Sequence, residues 1–257
     1  MFTPFAFVKK TTLSTSSGPT VYISASGGTE TTDGNYRIHT FSAGTSSLVV
    51  HRVGSVGYTS VEYLIVGGGG GGTVGQSGTE LGSGGAGGTA RSGSYAVSLT
   101  TYSMRVGTGG SGSTAADING NSGSVSSAFG TNATGGEGGY YTGEGGNNAD
   151  YSGGNDPPSI EAGGGAGAGG NGNNENGGIG ITSSISGTSL GYGGGGGGST
   201  PTPGTAVDGG GTASGPSAGG DGTRGGGGGG DIWNGFTTPT RGGNGGDGTI
   251  IVRYQYQ

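Results

Sequence analysis

The 257-residue chain contains no cysteine, which excludes a disulfide framework and thiolate metal sites. It carries little charge, since only 9% of its residues are Asp, Glu, Lys or Arg and the net charge is -6. This mild acidity argues against nucleic acid or an anionic membrane as a partner. Apolar residues reach only 27%, and no apolar run approaches the roughly 18 residues of a membrane span. We therefore do not expect an oily core throughout the chain.

The first ten residues, MFTPFAFVKK, do not resemble a signal peptide, because the basic residues follow the apolar ones. We therefore predict synthesis in the cytoplasm without an export signal. Such a protein still acts outside the cell if lysis releases it as part of a particle.

The two ends of the chain have the composition of β-strands. Runs at 61–66 (VEYLIV) and 249–256 (TIIVRYQY) are apolar enough for central strands, and we expect them to pair with each other. Runs at 36–41 (YRIHTF) and 47–53 (SLVVHRV) flank a turn-rich SAGTS segment, which predicts a hairpin. A weaker strand is predicted at 21–26.

All but seven of the 75 glycines lie between residues 67 and 248. Three hexaglycine runs occur there, at 67–72, 193–198 and 225–230, with short β-like segments between some of the shorter runs. No strict G-X-Y period appears and prolines number only eight, which excludes collagen. Disorder is disfavoured because strands bracket the glycines. The remaining regular structure is a bundle of polyglycine-II helices, in which neighbouring backbones bond to one another.

The sequence thus predicts an all-β chain with polyglycine II: a small antiparallel β-sandwich formed by the chain ends, carrying a bundle of polyglycine-II helices with connecting loops. Almost no α-helix is expected. The predicted segments are an N-terminal attachment arm (1–20), the sandwich base (21–66 with 249–257) and the glycine bundle (67–248).

The order of elements resembles the glycine-rich domain of phage tail-fibre tip adhesins and related virion proteins. The resemblance covers residues 36–254 and rests on FSAGTSSLVV (41–50), VEYLIVGGGGGG (61–72), VGTGGSG (106–112) and the closing GGNGGDGTIIVRY (242–254), with a looser match at SSAFG (126–130). The chain is also similar to the glycine-rich ectodomain of the anaplastic lymphoma kinase family, but it lacks the cysteines of that group.

The phage resemblance implies a non-enzymatic virion protein, a tail-fibre tip adhesin whose variable loops bind a host surface glycan or outer-membrane protein. It implies attachment to a larger fibre, tail or capsid protein, as a trimer or as a monomer on a trimeric fibre, without nucleic acid or membrane insertion. The alternative is a structural decoration or joint of the capsid or tail. A surface-binding glycine bundle ranks lower, because no regular Thr period is visible.

The search for catalytic or metal chemistry finds no site. His39 and His51 both lie in strand-like segments without a nucleophile motif, so we interpret them as strand histidines. G-x-G-x-x-G matches many times and carries no information here, and no P-loop exists. Calcium at GGNGGDG or at residues 171–176 remains open, since ordinary turns use the same residues. No enzyme activity, cofactor or metal is predicted.

Aromatic residues in the glycine zone are too large for a polyglycine interior, so we expect them in the connecting loops. Rigid aromatics on polar loops are typical of recognition surfaces, although capping of the bundle by the same rings is an equal alternative. The predicted receptor-binding residues are Tyr140, Tyr141, Asp150, Tyr151, Asp156, Tyr192, Asp231, Trp233, Asn234 and Phe236. The predicted virion-attachment residues of the arm are Phe2, Phe5 and Phe7.

Overall fold

The computed structural model describes residues 18–75, 81–154, 162–199, 203–214, 218–231 and 241–257. These residues form twelve strands and no helix, which confirms the predicted all-β class. The strands are β1 (Ser24–Ser26), β2 (Thr29–Asp33), β3 (Tyr36–Phe41), β4 (Gly44–Arg52), β5 (Ser60–Val66), β6 (Ala90–Ala96), β7 (Thr101–Val106), β8 (Ser126–Ala128), β9 (Thr131–Ala133), β10 (Ile181–Ser183), β11 (Leu190–Tyr192) and β12 (Thr249–Gln255).

Two antiparallel five-stranded sheets face each other as a β-sandwich. One sheet has the order β1-β4-β7-β8-β9 and the other has the order β2-β3-β12-β5-β6. Alternate residues of both sheets point inward, and Leu48 and Met104 from the first sheet meet Phe41, Ile65 and Val252 from the second. Each of these side chains is almost completely buried, so the sandwich has an ordinary apolar core.

The predicted pairing of the first and last long strands is confirmed. β12 is the central strand of its sheet and pairs antiparallel with β5, from Thr249 opposite Val66 to Arg253 opposite Glu62. An ion pair between Arg253 Nη2 and Glu62 Oε2, 2.7 Å long, links the two strands at the last residue pair of this ladder. The strands that precede and follow the glycine zone, β5 and β12, are therefore neighbours in one sheet.

The predicted hairpin between residues 36–41 and 47–53 is wrong. β3 pairs with β2 and β12, whereas β4 pairs with β1 and β7 in the opposite sheet. The chain changes sheets at residues 42–43, because Phe41 and Leu48 must approach the same core from opposite sides. The hairpin partner of β3 is instead β2, across a turn at Gly34, whose φ of 54° lies in the region that glycine adopts without strain.

A short hairpin of β10 and β11 covers the outer face of the second sheet. Ile185 and Tyr192 from this hairpin region pack on Ile38, Leu64 and Ile251 of the sheet. The central strands β5 and β12 are therefore apolar on both faces, as their near-continuous apolar sequence predicts.

The first hexaglycine run is a straight rod with a hydrogen-bond period of three. In the rod formed by residues 67–73, the amides of Gly67, Gly70 and Thr73 donate to carbonyls of a second rod, residues 82–89. The amides of Gly68 and Gly71 donate to residues 120–124, and those of Gly69 and Gly72 donate to residues 242–248. Successive amides of the rod thus donate hydrogen bonds to three different neighbours in turn. This pattern is typical of a helix with three residues per turn and no internal hydrogen bonds.

The carbonyls of this rod accept bonds from three further rods. Amides from residues 107–113, 134–139 and 225–231 donate to it, again at every third residue. The rod thus has six bonded neighbours. The three rods that it donates to run antiparallel to it, and the three that donate to it run parallel. The predicted polyglycine-II bundle is confirmed.

The hexaglycine runs form the interior of this bundle. Residues 67–75, 193–199 and 225–231 are buried throughout. A Cβ atom built on Gly69 would lie 2.1 Å from the carbonyl oxygen of Gly226, far inside a van der Waals contact. A Cβ on Gly70 or Gly71 would meet the carbonyls of two other rods just as closely. Only glycine fits, because all three directions of each turn face a neighbouring backbone.

The predicted division into a base at 21–66 and 249–257 and a bundle at 67–248 is too simple. β6 to β11 all lie within 67–248, and β6, β7, β8 and β9 belong to the two sheets of the sandwich. Residues 90–106 connect two rods and form β6 and β7, and residues 126–133 form β8 and β9. The sandwich and the bundle are therefore interleaved in sequence.

Candidate functional site

The bundle has two different ends, which we call the sandwich end and the distal end. At the sandwich end the rods continue into strands, as at Val66 and Thr249. The first and last described residues also lie on this side of the bundle. The amide of Ser55, in the loop before β5, donates to the carbonyl of Val21 over 2.8 Å, and Tyr256 follows β12. The distal end is the opposite end of the rods, and the described connections there include the turns at residues 114–119 and 140–144.

Hydroxyl side chains close the rods at the distal end. The Ser113 hydroxyl accepts a hydrogen bond from the amide of Val74 over 2.8 Å. The Thr73 hydroxyl likewise accepts one from the amide of Ser83 over 2.7 Å. The Ser199 hydroxyl accepts a hydrogen bond from the amide of Gly82 over 2.6 Å. Thr73 and Ser199 are fully buried and Ser113 nearly so. They satisfy backbone groups where the glycine repeat ends and another rod is no longer in reach.

Tyr140 lies in a loop at the distal end, residues 140–144, and is held firmly. Its hydroxyl donates to Glu137 Oε2 over 2.9 Å, and Asn147 Nδ2 donates to the same oxygen over 3.2 Å. The hydrogen bond to the Glu137 carboxylate raises the pKa of the Tyr140 hydroxyl above its ordinary value. The amide of Tyr140 also donates to the carbonyl of Glu144 over 2.9 Å. The ring is therefore half-buried and pre-positioned.

Tyr141 connects this loop to a second distal loop, residues 114–119. Its amide donates to Asn119 Oδ1 over 2.9 Å. Ile118, next to Asn119, is 53% exposed, although it is a large apolar side chain. Ile118, Asn119, Tyr140 and Tyr141 thus form a distal patch with apolar, aromatic and amide groups, which is the chemistry of many protein and glycan contacts.

Asp150 and Tyr151 lie at the sandwich end, away from Tyr140. Asp150 accepts two hydrogen bonds from Arg91 of β6, at 2.6 and 2.9 Å, and this pair lowers the pKa of the Asp150 carboxyl. The amides of Asp150 and Tyr151 both donate to Asn148 Oδ1. The predicted receptor-binding residues are therefore divided between the two ends of the bundle.

Two of the predicted receptor-binding residues are wrong, because both are interior. Tyr192 is 2% exposed and packs between the β10–β11 hairpin and the second sheet. Asp231 is fully buried at the distal end of its rod, where its amide donates to the carbonyl of Thr73. Neither side chain is accessible to a receptor.

The remaining predicted site residues lie outside the described residues. They are Asp156, Trp233, Asn234 and Phe236 in the proposed recognition loops and Phe2, Phe5 and Phe7 in the proposed arm.

Sequence reasoning missed Ile118 and Asn119. No local pattern distinguishes them from ordinary turn residues. A possible signal is the exposed position of an isoleucine within the polar segment STAADINGNS, where no strand or rod needs it.

The two histidines lie on strands, as predicted. His39, on β3, is fully buried, and its Nδ1 contacts the carbonyl oxygen of Gly27 at 2.8 Å while Nε2 contacts the Tyr254 hydroxyl at 3.1 Å. Because a carbonyl only accepts, Nδ1 carries the proton and Nε2 accepts from Tyr254. Burial lowers the pKa of His39. His51 is exposed on β4 and contacts the Ser26 hydroxyl.

Within the part of the chain that the structure describes, no group of three or more His, Cys, Asp or Glu side chains is arranged to hold a metal ion. A search of the same residues for a helix long and apolar enough to cross a membrane also finds none.

A family model described as a glycine-rich domain matches residues 45–255, which include most of the sandwich and the whole bundle. No curated protein matches the chain.

Proposed function

The chain belongs to the glycine-rich domain family, and from this premise we propose that it is a non-enzymatic phage virion protein, a tail-fibre tip adhesin. In this proposal the distal end of the bundle binds a host surface glycan or outer-membrane protein. The sandwich end faces a larger fibre, tail or capsid protein, to which the N-terminal arm attaches.

The single observation that carries the proposal is the polarity of the molecule. The first and last described residues lie at the sandwich end, near Val21 and Tyr256, whereas the distal patch lies at the far end of the bundle. Six residues of a polyglycine-II rod span about 19 Å at its typical rise. The bundle therefore acts as a stiff spacer that separates an attachment end from a loop-bearing end.

The backbone bonding of the bundle supports this role. Each interior rod is bonded to six neighbours, so the loops at the distal end are supported by a rigid scaffold rather than by a flexible linker. Pre-positioned rings such as Tyr140 lose little conformational freedom when they bind, which favours affinity.

The test is an adsorption experiment with matched variants. Replacing both Tyr140 and Tyr141 by alanine should weaken the binding of the protein to host cells at least about tenfold, as expected for aromatic contacts at the centre of an interface. The Tyr151→Ala variant is the control, because this ring is equally half-buried but lies at the sandwich end.

Melting temperatures of all variants should stay close to that of the parent. If the folded double variant adsorbs as well as the parent, or if Tyr151→Ala has the larger effect, the distal patch is not the receptor site. A protein that decorates particles without contacting cells would show no adsorption in any variant.

A further inference from the structure

A second aromatic cluster lies on the sandwich, remote from the distal patch. It consists of Tyr63 on β5, Tyr95 on β6, Tyr102 on β7 and Phe129 in the β8–β9 hairpin. Phe129 stacks on Tyr95 with ring centroids 4.8 Å apart, and its centroid lies 5.2 Å from that of Tyr102 and 5.6 Å from that of Tyr63. The rings lie between the two sheets, at the point where β6 of one sheet faces the β8–β9 hairpin of the other. All four are only partly buried.

Phe129 occupies a backbone position that is unfavourable for phenylalanine. Ala128 pairs with Thr131, so Phe129 and Gly130 are the two central residues of a tight hairpin turn, with φ values of 53° and 74°. Turns with two positive φ values strongly prefer Asn, Asp or Gly at both positions, and a bulky residue there is strained. Strain of this kind persists where a side chain is needed for another purpose. Packing of the Phe129 ring on the neighbouring tyrosines offsets the unfavourable turn conformation and holds the ring at the edge of the sandwich.

The cluster borders an open groove of about 410 Å³. This volume is within the usual range for small-molecule sites, about 300–1,000 Å³. Besides the rings of Tyr95, Tyr102 and Phe129, the groove is lined by small polar side chains and short backbone segments. The other lining residues are Thr101, Ser103, Ser127, Ala128, Gly130 and Asn132. None of the lining residues carries a charge.

The polar groups of the groove are of two kinds. The Tyr102 hydroxyl accepts the amide of Ser98 over 2.9 Å, which fixes the ring. Thr101, Ser103 and Asn132 are exposed, and within the described residues their side chains make no hydrogen bond. Two hydroxyls and an amide, which both donate and accept, therefore surround a fixed aromatic surface.

We propose that this groove is a second binding site, for a neutral pyranose sugar. The C–H face of a pyranose packs on aromatic rings, while its hydroxyl groups require neighbours that both donate and accept hydrogen bonds. The absence of charge in the lining favours a neutral sugar over an acidic one. The site is independent of the distal patch, so it stands or falls separately from the proposed adhesin function.

The test uses the purified full chain and NMR titration with glucose, galactose, N-acetylglucosamine and their disaccharides, with glucuronate as the acidic comparison. At least one neutral sugar should give saturable shifts with a Kd around 1 mM, typical of a single small contact site. The double variant Tyr95→Ala/Asn132→Ala should weaken this binding at least tenfold.

Phe129→Asn is the decisive variant, because asparagine suits the turn. We expect it to fold with a melting temperature close to that of the parent and to lose sugar binding, which separates the role of the ring from that of the turn. Tyr140→Ala/Tyr141→Ala, at the distal end, should leave sugar binding unchanged. The proposal is overturned if no neutral sugar binds, if glucuronate binds best, or if the groove variants bind normally.

Discussion

The sandwich and the bundle of this protein are both well-packed interiors, but they are stabilised in opposite ways. In the sandwich, Leu48 and Ile65 are fully buried and side chains fill the space between two sheets. In the bundle, Gly69 and Gly228 are just as buried, and the interior is mostly backbone, with only small side chains such as Ala86 and Ala166 between the rods. Apolar transfer stabilises the first interior, whereas backbone hydrogen bonds and close packing stabilise the second. A low apolar content is therefore compatible with a rigid fold.

The largest expected effect comes from adding a side chain to the bundle. In Gly69→Val the new Cβ would lie 2.1 Å from the Gly226 carbonyl oxygen, and no flexible side chain is present to move aside. We expect this variant either to fail to fold or to lose a large part of its free energy of unfolding. The loss should exceed the about 1–3 kcal/mol that is typical of overpacking an apolar core.

Thr108→Val is the matched control, because Thr108 occupies an exposed position on a peripheral rod. Its free energy of unfolding should stay within about 0.5 kcal/mol of the parent value. Urea unfolding followed by circular dichroism measures both. A Gly69→Val protein as stable as the control would mean that the rod is slack.

The next effect comes from removing a side chain from the sandwich. Leu48→Ala leaves a cavity in the apolar core and should lower the free energy of unfolding by about 2–5 kcal/mol. Ser46→Ala, on the same strand but exposed, should change it by less than about 0.5 kcal/mol. Equal unfolding midpoints in urea for the two variants would contradict the core assignment. The bundle is thus destabilised when a side chain is added, whereas the sandwich is destabilised when one is removed.

The smallest expected effect is a pH dependence that originates in the sandwich. His39 has a lowered pKa because burial disfavours its charged form, although Glu30 partly opposes this. The unfolded chain then binds a proton that the folded chain excludes, so stability is full above about pH 6.5 and decreases as the pH falls toward the lower pKa of folded His39.

Unfolding midpoints measured from pH 8 to pH 5 should show this decrease in the parent and in the control His51→Gln, whose ring is exposed. His39→Gln should show a weaker dependence in the same pH window. A parent protein with a flat profile would place the imidazole in a wetter environment than the structure does.

Much of the architecture could be predicted from the sequence, because the relevant signals are local. VEYLIV and TIIVRYQY are apolar at successive positions, so they had to be central strands, and each is directly joined to glycines. Six consecutive glycines exclude any structure that needs side chains. The hairpin at 36–53 was mispredicted because a turn-rich segment does not show whether the next strand remains in the same sheet or crosses to the opposite one.

A further signal in the glycine zone was overlooked. In GGEGG (135–139) and GGNGGDG (242–248) a residue other than glycine recurs at every third position, and Glu137 and Asp247 are exposed. Such rods have one free direction per turn, whereas hexaglycine has none. The number of glycines per turn therefore indicates how many sides of a rod are covered, and places the hexaglycine runs in the interior.

The candidate site was less predictable. Tyr140 and Tyr141 were identified as loop aromatics, but Tyr192 belongs to a core and Asp150 lies at the other end of the bundle. The four rings of the Phe129 cluster come from segments as distant as residues 63 and 129, and no local pattern connects them.

The sequence by itself determined that the long apolar runs are strands, that the hexaglycine runs are rods, and that glycine is required in the interior, because these follow from the stereochemistry of neighbouring residues. Only the tertiary structure decided which rods are neighbours, which sheet each strand joins, and which aromatic rings lie together at the distal patch and the groove. Those choices depend on hydrogen bonds and contacts between residues far apart in the chain, such as Gly69 with Gly246, and many backbone pairings of glycine are locally equivalent.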